Sequence, residues 1–169
     1  MASSERTQPQ FAVELIRMAI EMASCEKTMR TAIAEVVSPF SLSENAFFIL
    51  VLCQQNLERP LPQAKLAKTV GLSPAQLSNL VEQLRQDGWI ESSRDSNDRR
   101  RQYWTLTNAG NRRLNEILPK FHEAWQFDQL PVDPRTLLDG FRQLVALLGN
   151  TTNARPVVSS VSPVKSHAA

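Results

Sequence analysis

Between Val70 and Pro74 the chain reads V-G-L-S-P, and no single helix can run through it. Gly71 is suited to the left-handed conformation that closes a helix, Ser73 is a favoured N-cap, and Pro74 fits the first position of a new helix. Gln76, three residues after Ser73, completes the capping-box pattern. The short segment before this break carries Ala64, Leu66, Ala67 and Val70, with Pro62 fitting its first turn. The segment after it carries Leu77, Leu80, Val81 and Leu84 at core spacing and stops near Gly88. Two helices joined by Gly71-Leu72-Ser73 make a helix-turn-helix. On the second of them Ala75, Gln76, Ser78, Asn79, Glu82 and Gln83 are left for the outer surface.

Beyond Gly88 the period of the apolar residues shortens from that of a helix to that of a strand. Trp89 to Ser93 and Gln102 to Thr107 are the two expected strands, with Trp104 and Leu106 on one side of the second and Tyr103 and Thr105 on the other. The loop between them holds Arg94, Asp95, Asp98, Arg99, Arg100 and Arg101. Thr107 then caps a helix from about Asn108 through Leu118, which Pro119 is expected to kink or interrupt. A helix-turn-helix followed by a two-stranded hairpin is a winged helix.

Long helices flank this unit. Phe11, Leu15, Met18, Met22, Cys25, Met29, Ala32 and Val36 recur in steps of four and three, one stripe of a helix of about seven turns that ends before Pro39. Ser43 can cap the next helix, whose apolar body is Ala46, Phe47, Ile49, Leu50, Leu52 and Cys53. A last amphipathic helix is expected from Pro134, with Leu137, Leu138, Phe141, Leu144, Val145 and Leu148 apolar. Residues 1–10 and 150–169 are polar and low in core formers, and are expected to be disordered. The fold class is therefore mainly α (α+β): a winged helix-turn-helix over residues 42–110, flanked by helices in 11–41 and 111–149. Only five glycines in 169 residues argue against a loop-rich β protein.

Charge divides unevenly along the chain. Residues 59–113 hold ten Lys/Arg against five Asp/Glu, whereas residues 1–58 hold four against seven and residues 114–169 five against five. The basic middle is the part suited to a polyanion. A helix beginning at Ser73 has the dimensions of the major groove, where an amide side chain pairs with adenine, so Gln76 and Asn79 are the candidate base contacts. Ser73 and Ser78 suit phosphate contact or capping. An arginine held out on a hairpin fits the narrow minor groove over A·T-rich DNA. Asp98 among the arginines suits bracing one of them for presentation.

Asp98-Arg99-Arg100, followed by Leu106-Thr107 and then Gly110, resembles the wing signature DxR…LTxxG of the multiple-antibiotic-resistance regulator (MarR) family. The preceding LAKTVGLSPAQLSNLVEQLRQDGWI is similar to that family's helix-turn-helix and first wing strand. The resemblance covers about Leu42 to Leu118 in motif detail and the flanking helices in layout. It implies a homodimer, interlocked through its terminal helices, on a pseudopalindromic operator in double-stranded DNA. Arg100 then takes the minor-groove position and Asp98 supports it. The outer face of the recognition helix departs from the family in lacking a cation before Arg85, which shifts phosphate anchoring to Lys65, Lys68, Arg85, Arg99 and Arg101. The function so implied is a transcriptional regulator, a repressor relieved by a small aromatic effector or an oxidant. The alternative is a winged helix that meets an acidic protein partner.

Other classes are poorly served. The sequence has no glycine-rich phosphate loop, no HExxH and no nucleophile elbow, so neither an enzyme nor a cofactor is expected. Cys25 and Cys53 form no CxxC pair and stand beside no histidine, so no metal site is expected. Cys25 is expected in core or interface packing and Cys53 in the core. Phe121, His122 and Trp125 could line an effector pocket or simply face a neighbouring helix. With no apolar run near 18 residues and no secretory layout at the N-terminus, the expected compartment is the cytoplasm.

Overall fold

The computed structural model describes residues 8–94, 102–125 and 132–152. These fall into two compact units, 1–125 and 126–169. The first contains α1 (Gln8–Val37), a 3-10 turn (Ser38–Phe40), α2 (Glu44–Gln55), β1 (Leu61–Pro62), α3 (Gln63–Val70), α4 (Pro74–Gln86), β2 (Ile90–Arg94), β3 (Gln102–Leu106) and α5 (Asn108–Ala124). The second contains α6 (Pro134–Thr152).

The helix boundaries follow the local chemistry. Ser43 accepts a hydrogen bond from the Ala46 amide at the head of α2. At the head of α4 the capping box is complete: Ser73 Oγ accepts from the Gln76 amide at 3.3 Å, and Gln76 Oε1 accepts from the Ser73 amide at 3.0 Å. Gly71, at φ 78°, closes α3 in the left-handed region, and its amide and that of Leu72 both donate to the Ala67 carbonyl. Leu66, Leu77, Val81 and Leu84 reach the core from the two helices of the motif.

The sheet has one strand more than the two-stranded wing. Its order is β1-β3-β2, all antiparallel, with Leu61 opposite Trp104 on one side and Ile90, Ser92 and Arg94 opposite Leu106, Trp104 and Gln102 on the other. β1 is two residues long and includes Pro62, which has no amide to give, so it serves only as an edge. Pro62 accordingly stands as the extended N-cap of α3 rather than in its first turn. Trp89 precedes β2 instead of opening it, and Thr107 is the cap of α5 rather than the end of β3.

The Leu-Thr-x-x-Gly run has a specific mechanical role here. Thr107 Oγ1 accepts from the Gly110 amide at 3.0 Å and lies 2.7 Å from the Gly88 carbonyl and 3.1 Å from that of Trp89. The Thr107 amide also donates to the Trp89 carbonyl. A Cβ on Gly110 would fall well inside contact distance of that same carbonyl. The head of α5 is thus seated directly on the backbone entering the wing.

α5 continues through Pro119 to Ala124, so the proline interrupts nothing. Phe121 turns inward and stacks on Phe47 at 5.1 Å, with Trp125 edge-on at 5.2 Å, whereas His122 is exposed. At the ends, α1 starts at Gln8 and α6 reaches Thr152, each extending into a segment expected to be disordered.

Two long faces are uncovered in the single chain. Val13, Ile16 and Ile20 on α1 are 63–65% exposed, and Met18 and Met29 are also open. On α6, Leu137, Leu138, Phe141, Val145 and Leu147 are exposed as well. Cys25 of α1 is exposed in the chain, which removes the expectation that it packs in the core. Cys53 is buried in α2, and loss of hydration pushes its thiol up to about 12. It is therefore an inert packing residue.

Candidate nucleic-acid interface

α4 presents a polar face held at a defined angle. Ala75, Gln76, Ser78, Asn79 and Gln83 are exposed along it, and Leu77, Val81 and Leu84 anchor the opposite side. Their polar atoms are not equally available. Gln76 spends its carbonyl oxygen on the cap and keeps its NH2 group outward. Ser78 Oγ donates to the Pro74 carbonyl at 2.9 Å and accepts from Gln63 Nε2 at 2.9 Å, so its proton is committed inside the protein. Asn79 makes no hydrogen bond among the described residues and offers both amide groups. With Gln76 and Gln83 it borders a shallow depression of about 320 Å³ that runs to Ser43 and Asn45.

Gln63 carried no signal in the sequence, yet it joins the wing to α4. Its Oε1 accepts from the buried Trp104 indole at 3.3 Å while its Nε2 holds Ser78. The pattern shows helix start and strand separately, and only the folded sheet brings the first residue of α3 beneath β3.

Among the described residues, the cations of this surface differ in how far they are paired. Lys65 and Lys68 are exposed on α3, with Lys68 in its last turn. Arg85 donates twice to the Glu82 carboxylate, at 2.7 and 2.9 Å, and Gln86 adds a third hydrogen bond at 3.0 Å. Hydrogen bonds from Arg85 and then Gln86 hold the Glu82 carboxyl down to about 2, so the pair is ionised at any ordinary pH. Arg85 therefore meets a phosphate with much of its charge already answered. Arg94 is exposed where β2 ends. Asp98, Arg99, Arg100 and Arg101 lie outside the described residues, and so does the proposed bracing of the wing tip by Asp98.

Two further arginines, neither anticipated, tie the helical flanks to this unit. Arg30 of α1 donates to Asn45 Oδ1 at 3.1 Å and to the Val70 carbonyl at 3.2 Å. Arg113 of α5 donates to the Phe40 carbonyl at 2.7 Å, and its guanidinium lies over the rings of Phe40 and Trp89 at 5.1 and 5.5 Å. Beside Arg30 is a pocket of about 230 Å³ walled by Phe48, Val51, Leu52, Thr69 and Val70.

Comparison with known proteins agrees with this geometry. Residues 42–101 match the model of the MarR family. The transcriptional repressor MprA of Escherichia coli (strain K12) is 26% identical over 153 residues, covering 85% of each chain. Among solved structures, S. aureus MepR in its DNA-binding conformation superposes with a TM-score of 0.66 at 18% identity, covering 79% of this chain and 98% of that one. CouR from Rhodococcus jostii RHA1 bound to p-coumaroyl-CoA superposes with a TM-score of 0.62 at 21% identity, covering 78% and 90%.

Proposed function

We propose that the chain, whose residues 42–101 match the MarR-family model, is a member of that family and a dimeric, DNA-binding transcriptional repressor. The observation that carries the reading is α4: a fully capped helix with its apolar side locked in the core and Ala75, Gln76, Asn79 and Gln83 held outward. In the major groove the Gln76 NH2 donates to a base acceptor, Asn79 pairs with adenine through both amide groups, and Ala75 meets a thymine methyl. Ser73 remains as cap. Ser78 fixes the helix through Gln63 rather than donating to phosphate. Lys65, Lys68 and Arg99 and Arg101 of the wing supply phosphate contacts, Arg85 a weaker one, and Arg100 enters the minor groove with Asp98 beside it.

The open apolar faces of α1 and α6 are those of a homodimer, which places two copies of α4 on a pseudopalindromic operator. No single helix among the described residues is long and apolar enough to cross a membrane, and the protein acts in the cytoplasm, where its DNA target lies. It is a binding protein and not an enzyme, in keeping with the repressor name of its relative. Relief by a small aromatic molecule is the regulation this reading favours. The pocket beside Arg30, with Phe48 in its wall, suits a compact aromatic molecule.

Binding of the purified protein to duplexes selected from a random pool tests the reading. The logarithm of affinity falls with the logarithm of salt by about 0.9 per phosphate neutralised. Arg100→Ala lowers affinity sharply and Arg99→Ala much less. A flat salt dependence, with no duplex enriched, assigns the winged helix to an acidic protein partner instead.

A further inference from the structure

Arg30 lies outside the helix-turn-helix, on the helix whose free face is apolar, yet its side chain ends on the turn that aims α4. The Val70 carbonyl it holds belongs to the last residue of α3, one of the acceptors that a helix leaves without an internal partner. That end of α3 is also the negative pole of the helix, which favours a cation there. The same guanidinium reaches Asn45 Oδ1 in the first turn of α2 and lies 3.8 Å from the Glu44 carboxylate. Its plane sits 5.1 Å from the Phe48 ring, and Glu26 of α1 pairs with its Nε. One residue thereby pins three helices at the point where α3 gives way to Gly71.

We propose that Arg30 is a positioning residue for DNA recognition: it fixes the angle of α4 by clamping the end of α3 to α1 and to the head of α2. The alternative is an exposed i,i+4 pair with Glu26 of little consequence, as surface pairs usually are. Its geometry argues against that. The side chain is 31% exposed, the two long-range hydrogen bonds leave from different nitrogens, and a planar fork presents both donors at once in a fixed geometry that a single ammonium lacks. Displacement of α1, such as a change in how two copies pair, would pass through Arg30 to the turn. The positioning role rests on the DNA-binding reading for its purpose, but the clamp itself does not.

The full-length chain tests both parts separately. Hydrogen exchange in the DNA-free protein reports the clamp, because the Gly71 and Leu72 amides are bonded to Ala67 at the pinned turn. Arg30→Met speeds exchange at Gly71 and Leu72 by about tenfold, the scale of one or two lost hydrogen bonds, while Leu114 and Ile117 in α5 are unchanged. Asn45→Ala, which removes a single anchor, moves the same amides in the same direction by less.

Binding to the selected duplex and to poly(dI-dC) then reports the role. Arg30→Met weakens the selected duplex by about tenfold. Poly(dI-dC) affinity and the salt slope stay as in the wild type, because Arg30 is no phosphate contact. Arg30→Lys restores part of the loss. Unchanged exchange at Gly71 and Leu72 in both variants overturns the clamp. Equal weakening on both DNAs overturns the positioning role. Wild-type protein that enriches no duplex refutes the DNA-binding reading and leaves the exchange result to decide the clamp.

Discussion

Gly110→Ala isolates what the tertiary contact at the head of α5 is worth. In an ordinary helix this change stabilises by about 1 kcal/mol, because alanine is the better helix former. Here the new methyl group points at the Trp89 carbonyl, with Leu106 Cδ1 2.8 Å away and the Trp89 carbonyl carbon at 2.9 Å. Leu106 can rotate its methyl aside. The Trp89 peptide can retreat only by loosening the bonds its oxygen accepts from the Thr107 amide and hydroxyl. Two weakened hydrogen bonds cost about 1 kcal/mol each. Strain in the packed core adds about 1–3 kcal/mol. Against the helix gain, the net loss is about 2–4 kcal/mol, a fall of roughly 6–12 °C in Tm for a domain of this size. Thermal melts at matched chain concentration measure it, since dimer stability varies with concentration. A Tm equal to or above wild type would show that the α5–wing junction yields freely, and the account of the Leu-Thr-x-x-Gly motif would be wrong.

Glu82→Gln frees Arg85 from its partner, so affinity for DNA rises and the salt slope steepens by up to about 0.9; an unchanged slope means that Arg85 does not reach phosphate. Cys53 stays unmodified by iodoacetamide at pH 8 in the folded protein and reacts once urea unfolds it, as read by mass spectrometry of its peptide. The same thiol sets an alkaline limit: folding raises its pKa from 9.0 to about 12, so its contribution is complete below pH 9 and is lost as pH climbs toward 12. Urea melts across that window fall more steeply for the wild type than for Cys53→Ala; parallel curves would place the thiol in water.

The winged helix was legible because its instructions are local. Gly71, Ser73, Pro74 and Gln76 act on backbone groups within four residues, and the folded chain uses each as its chemistry suggests. The strand positions of Trp104 and Leu106 followed from a two-residue period that a half-buried hairpin enforces. Pro119 does not interrupt α5, because it lies well inside a helix that packs Leu114, Ile117 and Phe121 into the core, and tertiary burial outweighs one lost backbone bond.

Other features have no local signature. β1 is two residues, Leu61 and Pro62, preceded by Pro60, and exists only because β3 runs beside it. Gln63, Arg30 and Arg113 look like surface residues on their own helices, and each acquires its role from hydrogen-bond partners 15 to 73 residues away. The sequence by itself determined which segments coil and where the capped ends of the helix-turn-helix lie, since period and capping are properties of neighbours along the chain. Tertiary structure alone decided that Ser78 is also held by Gln63 and Gln63 by the Trp104 indole, whereas the Arg85–Glu82 and Ser78–Pro74 bonds are local to α4. Spacing along a helix encodes the local pairs, but no local pattern encodes a partner that only folding brings within hydrogen-bond distance.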